Sequence, residues 1–351
     1  QAPMSLHAYQ AIDYSEPYKM RAEDVKIPRF RFQTMNHPLR HLIKEAEDKE
    51  MSEHKAQGTF EGPIDPKQIP KGIKIIGTQW VYRAKPDMFG FLASIKARLA
   101  LRGDQEKTHV AKYDAYAPVM DFTTLRLMLA MHIGEPDIKW YQLDVTGAYL
   151  SAYMRRPVYV YMADGYRKPG REYDVYRVVK ALYGGIDSGR CFYDEWVEYH
   201  LEMLFWRDGA FIKMCFHVDD GAYCVKSDAI WEWYLAKLDQ KYRYRKGELS
   251  HFLNVRFTFS HDFKQVKLDQ EQQIHKLVSI LPGMDKCKTV DTPVNTREVP
   301  RPTKADAPQT EEEKKEAERF PYLTIQGHIS YLSQQSRPDI MFPVKIGSFY
   351  S

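Results

Sequence analysis

Two places in the sequence set bare carboxylates beside apolar, strand-forming runs. Asp144 lies near the end of Ile138-Lys-Trp-Tyr-Gln-Leu-Asp-Val145, and Asp219-Asp220-Gly221 separates the runs Phe211 to Val218 and Ala222 to Val225. If those runs are neighbours in one antiparallel sheet, three acids converge at its edge. Such a cluster repels itself and needs a cation to compensate it. Hard oxygen ligands favour Mg²⁺, which keeps several waters and completes its shell with substrate phosphates. Two such ions, about 3.5–4 Å apart, clamp the attacking and leaving oxygens of an in-line phosphoryl transfer. Acids in isolated turns are merely solvated, so this reading depends on the elements that bring the three together.

The order of those elements is informative. A strand over Ile138 to Val145 is followed by a helix from Arg190 to Met203, with Phe192, Trp196, Tyr199 and Met203 on one face. The apolar runs around Asp219-Asp220 predict a hairpin. A second helix, Asp228 to Tyr242, repeats Ile230, Tyr234, Leu238 and Tyr242 every four residues, and His251 to Phe257 reads as a strand. This is β-α-β-β-α-β, the split βαβ or ferredoxin-like order of an α+β fold. Upstream, Gln79 to Ala84 and Phe91 to Leu101 read as paired strands around the turn Lys85 to Gly90. Ile95, Ala97, Leu99 and Leu101 alternate with Lys96, Arg98 and Arg102, so one face suits a core and the other an anion. Just after Asp144 come Thr146, Gly147, Ala148 and Tyr149. Small residues there let the backbone approach a phosphate, and the amides of a starting helix favour anions. Tyr149 would then lie beneath a sugar ring; an ordinary turn with a core tyrosine fits these residues equally well.

Composition sets the outer bounds. With 44% hydrophobic residues among 351, wholesale disorder is excluded. The net charge of +4 permits a nucleic-acid partner without demanding one. No window approaches about eighteen uninterrupted apolar residues, so no membrane span is expected. The start, Gln1-Ala-Pro-Met-Ser-Leu6, lacks a basic and an apolar region, so no signal peptide is expected. Cys191, Cys215, Cys224 and Cys287 form no CxxC and read as free thiols in a reducing compartment. Val266 to Leu268 reads as a short strand, Gln272 to Leu281 as a helix stopped by Pro282-Gly283, residues 286–319 as an extended linker, and Pro321 to Leu332 as a further helix. The apolar stretch Ile340 to Val344 so near the end points to truncation within a longer polypeptide.

From about Gln79 to Ser348 the chain resembles the reverse transcriptase of copia-type retrotransposons, part of the Pol polyprotein of long-terminal-repeat elements. The matching motifs are Trp80-Val-Tyr-Arg-Ala-Lys85, Lys96-Ala-Arg-Leu99, Tyr116-Ala-Pro-Val119, Gln142-Leu-Asp-Val145, Leu182-Tyr-Gly184, His217-Val-Asp-Asp220, Phe252-Leu253 and Ser336-Arg-Pro-Asp-Ile340. Each is weak alone, but their order and spacing are specific. The resemblance implies a fingers–palm–thumb polymerase whose palm is the split βαβ unit, and RNA-directed DNA synthesis by template-directed nucleotidyl transfer. Asp144, Asp219 and Asp220 would hold two Mg²⁺ ions, with Mn²⁺ as a substitute. Lys96 and Arg98 would approach the incoming triphosphate, and Tyr149 would exclude a ribose 2′-hydroxyl. The implied partners are an RNA or DNA template with its primer and deoxynucleoside triphosphates, with no membrane. The implied location is a cytoplasmic virus-like particle or the nucleus, not a secretory one. The protease, integrase and ribonuclease H of such polyproteins are not recognised in this chain.

The implied division is an N-terminal arm over 1–70, fingers over 71–135 with part of 150–190, palm over 136–260, a thumb element over 261–285, and a linker with the start of a connection region over 286–351. A polymerase must also grip phosphates without regard to sequence. Lys237, Lys241, Arg243 and Arg245 are the candidates, interleaved with Tyr242 and Tyr244. Of four departures from the family pattern, Asp187 and the short segment Met203 to Phe211 support an alternative reading, a catalytically inactive relative that binds nucleic acid or serves a structural role. His217 stands for the usual Tyr, Asp187 for a Gln, Asn254 for a Gly, and the segment Met203 to Phe211 is short.

Overall fold

The computed structural model describes residues 16–87, 89–106, 115–201, 209–281, 283, 286–288, 290 and 307–348. It is a mixed α+β fold divided into two compact units, Gln1–Pro118 with Gly147–Leu204, and Val119–Thr146 with Phe205–Ser351. Residues 203–208 of the short segment Met203 to Phe211 and the middle of the expected linker, 291–306, lie outside the described residues. Among the described residues no helix is long and apolar enough to cross a membrane.

In the first unit, β1 (Phe60–Ile64), β2 (Ile75–Ile76), β3 (Thr78–Pro86) and β4 (Leu92–Leu101) precede the break in the chain. The strands β3 and β4 form an antiparallel ribbon with Trp80 opposite Leu99 and Tyr82 opposite Ala97. The alternation expected of β4 is present. Ile95, Ala97, Leu99 and Leu101 are buried, Lys96 is exposed and Arg98 half-buried. The turn is closed by Asp87, whose carboxylate accepts the N–H groups of Phe89 and Phe91 at 2.8 and 2.9 Å. The charged run near Lys44 to Lys55 is a helix, Arg40–Ala56, and Ile43 packs with Trp80, Leu92 and Leu99. A second sheet uses the return segment, with β6 (Tyr153–Tyr161) and β7 (Val175–Lys180) in the order β1-β7-β6-β2. The helix expected from Arg190 runs over Ser188–Leu201 and buries Phe192 and Trp196. It belongs to this first unit, not to the unit that holds Asp144.

The second unit is built on a four-stranded sheet. Its strands are β5 (Ile138–Val145), β8 (Phe211–His217), β9 (Asp220–Lys226) and β10 (Tyr244–Glu248), in the order β10-β5-β9-β8. All three pairings are antiparallel. The first and third of these strands are therefore central, as a split βαβ order requires. Period-two alternation gives the sheet two apolar faces. Trp140, Ala222 and Cys224 pack with Phe122, Leu125 and Leu129 of the helix Phe122–His132. Tyr141 stacks instead on Trp231 of the helix Asp228–Leu238, with ring centroids 4.6 Å apart, and Tyr223 meets the same ring at a tilt, 5.3 Å away.

Three sequence expectations are corrected here. The fourth strand of this sheet is Tyr244–Glu248, not His251 to Phe257. The latter is not one strand but a tight hairpin, β11 (His251–Phe252) and β12 (Val255–Phe259), which continues to β13 (Val266–Asp269). Leu253 and Asn254 both take positive φ, 48° and 56°, which a two-residue turn of the right twist requires. The expected linker also contains a helix, Glu311–Arg319, opened by a capping box in which Thr310 and Glu313 exchange side-chain-to-backbone bonds. Leu277 of the helix Glu271–Ile280 packs with Ile325 and Leu332 of the helix Tyr322–Gln335.

The first unit also carries a buried charge cluster. Arg156 makes two bonds to Asp187, at 2.9 and 2.8 Å, and pairs with both oxygens of Glu106. Both carboxylates are nearly inaccessible, at 6% and 8% side-chain exposure for Glu106 and Asp187. Removing the guanidinium leaves two buried charges with no partner, a change that costs about 3–5 kcal/mol. We expect Arg156→Met to lower the urea midpoint accordingly at neutral pH. A loss below about 1 kcal/mol would mean that the two carboxylates find water or other donors.

Candidate active site

The acidic site grows from the pairing of β5 with β9. Ile138, Trp140, Leu143 and Val145 are buried, which sets the register of β5 against the core. In that register Asp144 is the Cα partner of Asp220, and Asp220 is in turn the partner of His217 on β8. On the other side of β5, Arg245 is the partner of Asp144. Directly opposed residues share a face of the sheet. One rung thus carries Arg245, Asp144, Asp220 and His217 across four strands. Asp219 occupies the turn between β8 and β9, and its carbonyl accepts the Val145 N–H at 2.8 Å. The three aspartates, separated by 75 residues of sequence, are brought to one end of the sheet. The turn itself is Val218-Asp219, one residue earlier than the Asp219-Asp220-Gly221 expected, because pairing with Asp144 keeps Asp220 in its strand. Val218 has a φ of 59°, a strained conformation for a β-branched residue.

Burial, followed by the charges of Asp219 and Asp144, pushes the Asp220 carboxyl up to about 6, with His217 opposing. The part due to Asp219 and Asp144 is the self-repulsion expected of a carboxylate cluster. As they stand, no three His, Cys, Asp or Glu side chains among the described residues close around a single metal position. The chemistry of the donors still fits a hard divalent cation. They are carboxylate oxygens, half-buried and mutually repelling, at one end of the sheet.

The cations named for nucleic-acid contact share this unit. Lys237 lies in the last turn of the helix Asp228–Leu238, and Lys241 follows it with its ammonium 5.5 Å from the Tyr242 ring centroid. Lys237, Lys241, Arg243 and Arg245 are all exposed. The Arg243 carbonyl accepts the Thr146 N–H at 2.8 Å, so the basic segment runs beside the residues that follow Asp144. Gln142 fixes the end of that segment, since its side-chain oxygen accepts the N–H groups of Ser250 and His251, both at 3.1 Å. The motif Gln142-Leu-Asp-Val145 thus contains a structural clamp that its spacing alone did not reveal.

The remaining predicted residues lie in the first unit, apart from Thr146. Gly147 has a φ of +67°, which explains a glycine there. The helix that follows, Ala148–Ser151, is a single turn, so few aligned peptide dipoles back the anion site expected at its start. The Tyr149 ring meets Tyr183 edge-on, with centroids 4.8 Å apart. The Arg98 guanidinium lies over the other member of that pair, 4.3 Å from the Tyr183 centroid. Tyr183, quoted above only as part of a motif, therefore joins Arg98 to Tyr149. Its neighbour Gly184 is pressed so closely on β4 that a Cβ would come within 2.3 Å of the Leu101 carbonyl oxygen. Lys96 lies two residues before Arg98 on the exposed side of the same strand. Asp187 points into the buried cluster with Arg156 and Glu106.

The sequence pattern of the family described as "Reverse transcriptase (RNA-dependent DNA polymerase)" matches residues 65–296, well over half of the chain. The retrovirus-related Pol polyprotein from transposon TNT 1-94 of Nicotiana tabacum is 23% identical over 330 residues, covering 90% of this chain and 24% of that protein. The retrovirus-related Pol polyproteins from transposons RE2 and RE1 of Arabidopsis thaliana are 27% identical over 201 residues and 26% over 294. They are covered over 14% and 19% of their length, and cover 53% and 78% of this chain. The chain thus spans about a quarter or less of the relatives it matches. With the paired aspartates of β5 and β9 and the ordered motifs around them, these matches mean that the chain belongs to the reverse transcriptase family, in its copia-type retrotransposon Pol branch.

Proposed function

We propose that this chain carries the polymerase core of a retrotransposon reverse transcriptase, with fingers, palm and thumb, and extends a primer on an RNA or DNA template. The observation that carries the reading is the rung on which Asp144 faces Asp220, with Asp219 held beside it, inside the family-matching segment. Asp144, Asp219 and Asp220 would hold two Mg²⁺ or Mn²⁺ ions. Bound there, such ions would supply activation of a primer 3′-hydroxyl and countercharge for the departing pyrophosphate. Asp144 and Asp220 supply fixed negative charge at the end of a rigid sheet, where positioning provides most of the catalysis. Lys96 and Arg98 present cations to the triphosphate, and Tyr183 holds Arg98 by a cation–π contact. Thr146, Gly147 and Ala148 leave room for the backbone of a nucleotide, and the Tyr149 ring fills the space of a 2′-hydroxyl. Lys237, Lys241, Arg243 and Arg245 bind the phosphates of the primer–template without reading its sequence.

A second reading, a relative without turnover, is favoured by one observation. Asp187, at the position of the family's glutamine, is committed to a buried ion cluster. Primer extension separates the two readings. On the polymerase reading, Asp144→Asn and Asp219→Asn each reduce Mg²⁺-dependent extension by at least about a hundredfold. Duplex affinity should remain measurable. Failure of the unaltered protein to extend a primer on either template, with duplex binding intact, would establish the inactive relative.

Tyr149→Ala should raise ribonucleotide use relative to deoxyribonucleotide use by about tenfold or more, since the discrimination is steric and relieved by truncation. An unchanged ratio with retained extension would return Tyr149 to a packing role beside Tyr183. The acidic cluster also has a stability signature. The Asp220 carboxyl is pushed from 3.8 up to about 6, so between those values the folded chain binds more protons than the unfolded one. Stability of the metal-free protein should therefore fall as pH rises from about 4 to about 6, and level off above. Asp220→Asn should melt higher than the unaltered protein at pH 7.5 in EDTA, match it near pH 4, and lose the stabilisation that Mg²⁺ provides. Calorimetry across that range checks the sign.

A further inference from the structure

The N-terminal part of the first unit holds an exposed aromatic pair that the polymerase reading does not use. From Val25 to Lys44 the sequence contains Lys26, Arg29, Arg31, Arg40 and Lys44, two histidines, and no Asp or Glu. Within it, Phe30 and Phe32 stack on each other, with centroids 5.7 Å apart and planes 10° from parallel. They are 50% and 72% exposed. The Arg29 guanidinium lies 5.4 Å from the Phe30 ring centroid.

This surface is held in shape. The Gln33 side-chain oxygen accepts the N–H groups of Arg29 and Phe30 at 2.9 and 3.1 Å. His37 bonds the Lys26 carbonyl through Nε2 at 2.8 Å. Arg31 turns inward to the buried Glu47, which also accepts the Tyr82 hydroxyl at 2.6 Å. The two rings are therefore displayed on a fixed backbone.

Two aromatic faces in water mark a surface that meets a partner. The charge of the segment selects the kind. Arg31 pairs with Glu47 and Lys44 with Asp48, so the cations that this surface can offer a polyanion are Lys26, Arg29 and Arg40. Aromatic rings beside cations are the means by which proteins bind unpaired strands without sequence preference, because every base has a face to stack and every nucleotide a phosphate. Inside a duplex each base pair is covered by its neighbours, so only the terminal pairs leave a face for the rings. We propose that Phe30 and Phe32, with Lys26, Arg29 and Arg40, form a stacking platform for an unpaired nucleic-acid strand. Because Phe30 and Phe32 already stack, an incoming base extends the stack on the outer face of Phe32.

The test is fluorescence anisotropy of the full chain with labelled twelve-nucleotide oligo(dT) and oligo(rU), and with a blunt duplex of the same length. Phe32→Ala should weaken both single strands about tenfold and the duplex by less than about twofold, since one stacked base is lost. Phe32→Trp should retain affinity and show quenching of indole emission when oligo(dT) binds. Unchanged single-strand affinity in Phe32→Ala, an equal loss on the duplex, or a tryptophan that oligo(dT) does not quench would each overturn the proposal. So would sedimentation showing that Phe32→Ala turns a dimer into a monomer, which would make this face a contact between copies. None of these readouts involves primer extension, so the result stands apart from that of the polymerase reading.

Discussion

Backbone pairing between β5 and β9 sets two carboxylates on one rung and ties a third to the strand beside them. That arrangement is electrostatically unfavourable, as the raised Asp220 carboxyl records. It persists because the register is decided elsewhere, by Trp140, Leu143 and Val145 on one strand and by Ala222, Tyr223 and Cys224 on the other. A slip of one residue would separate the acids, but it would also turn every apolar side chain to the wrong face. The core therefore holds the cluster at a cost, which a bound cation would offset. His217, at one end of the rung, provides partial compensation from the protein itself.

The first unit solves a different problem with the same economy. The segment Leu182-Tyr-Gly184 is laid directly on β4, with the Leu101 N–H bonded to the Tyr183 carbonyl at 2.6 Å. Only a residue without Cβ permits that approach at Gly184. The consequence is positional: Tyr183 lies against Arg98 on one side and Tyr149 on the other. A few residues on, Asp187 anchors the same segment through Arg156 to Glu106. A carboxylate at this position is thus spent on holding the chain, which gives the departure from the family pattern a concrete physical consequence.

What the sequence determined by itself was local. Period-two alternation marked the buried and exposed faces of β4, because each strand residue reports its own side of the sheet. Four-residue spacing marked the helices Ser188–Leu201 and Asp228–Leu238. The acids were visible as carboxylates at the ends of apolar runs. The helix opened by the Thr310–Glu313 capping box was not read, because the Pro- and Glu-rich composition around it read as linker. What only the tertiary structure decided was pairing. Whether His251 to Phe257 formed one strand depended on positive φ at Leu253 and Asn254, which two non-glycine residues adopt without announcing it. Whether the fourth strand was Tyr244–Glu248 depended on a free edge of β5. The opposition of Arg245 to Asp144, the clamp by Gln142 and the Tyr183 bridge join residues that lie far apart in the chain. Such contacts follow from which surfaces are left to bury once the local elements exist, and that is a property of the assembled fold.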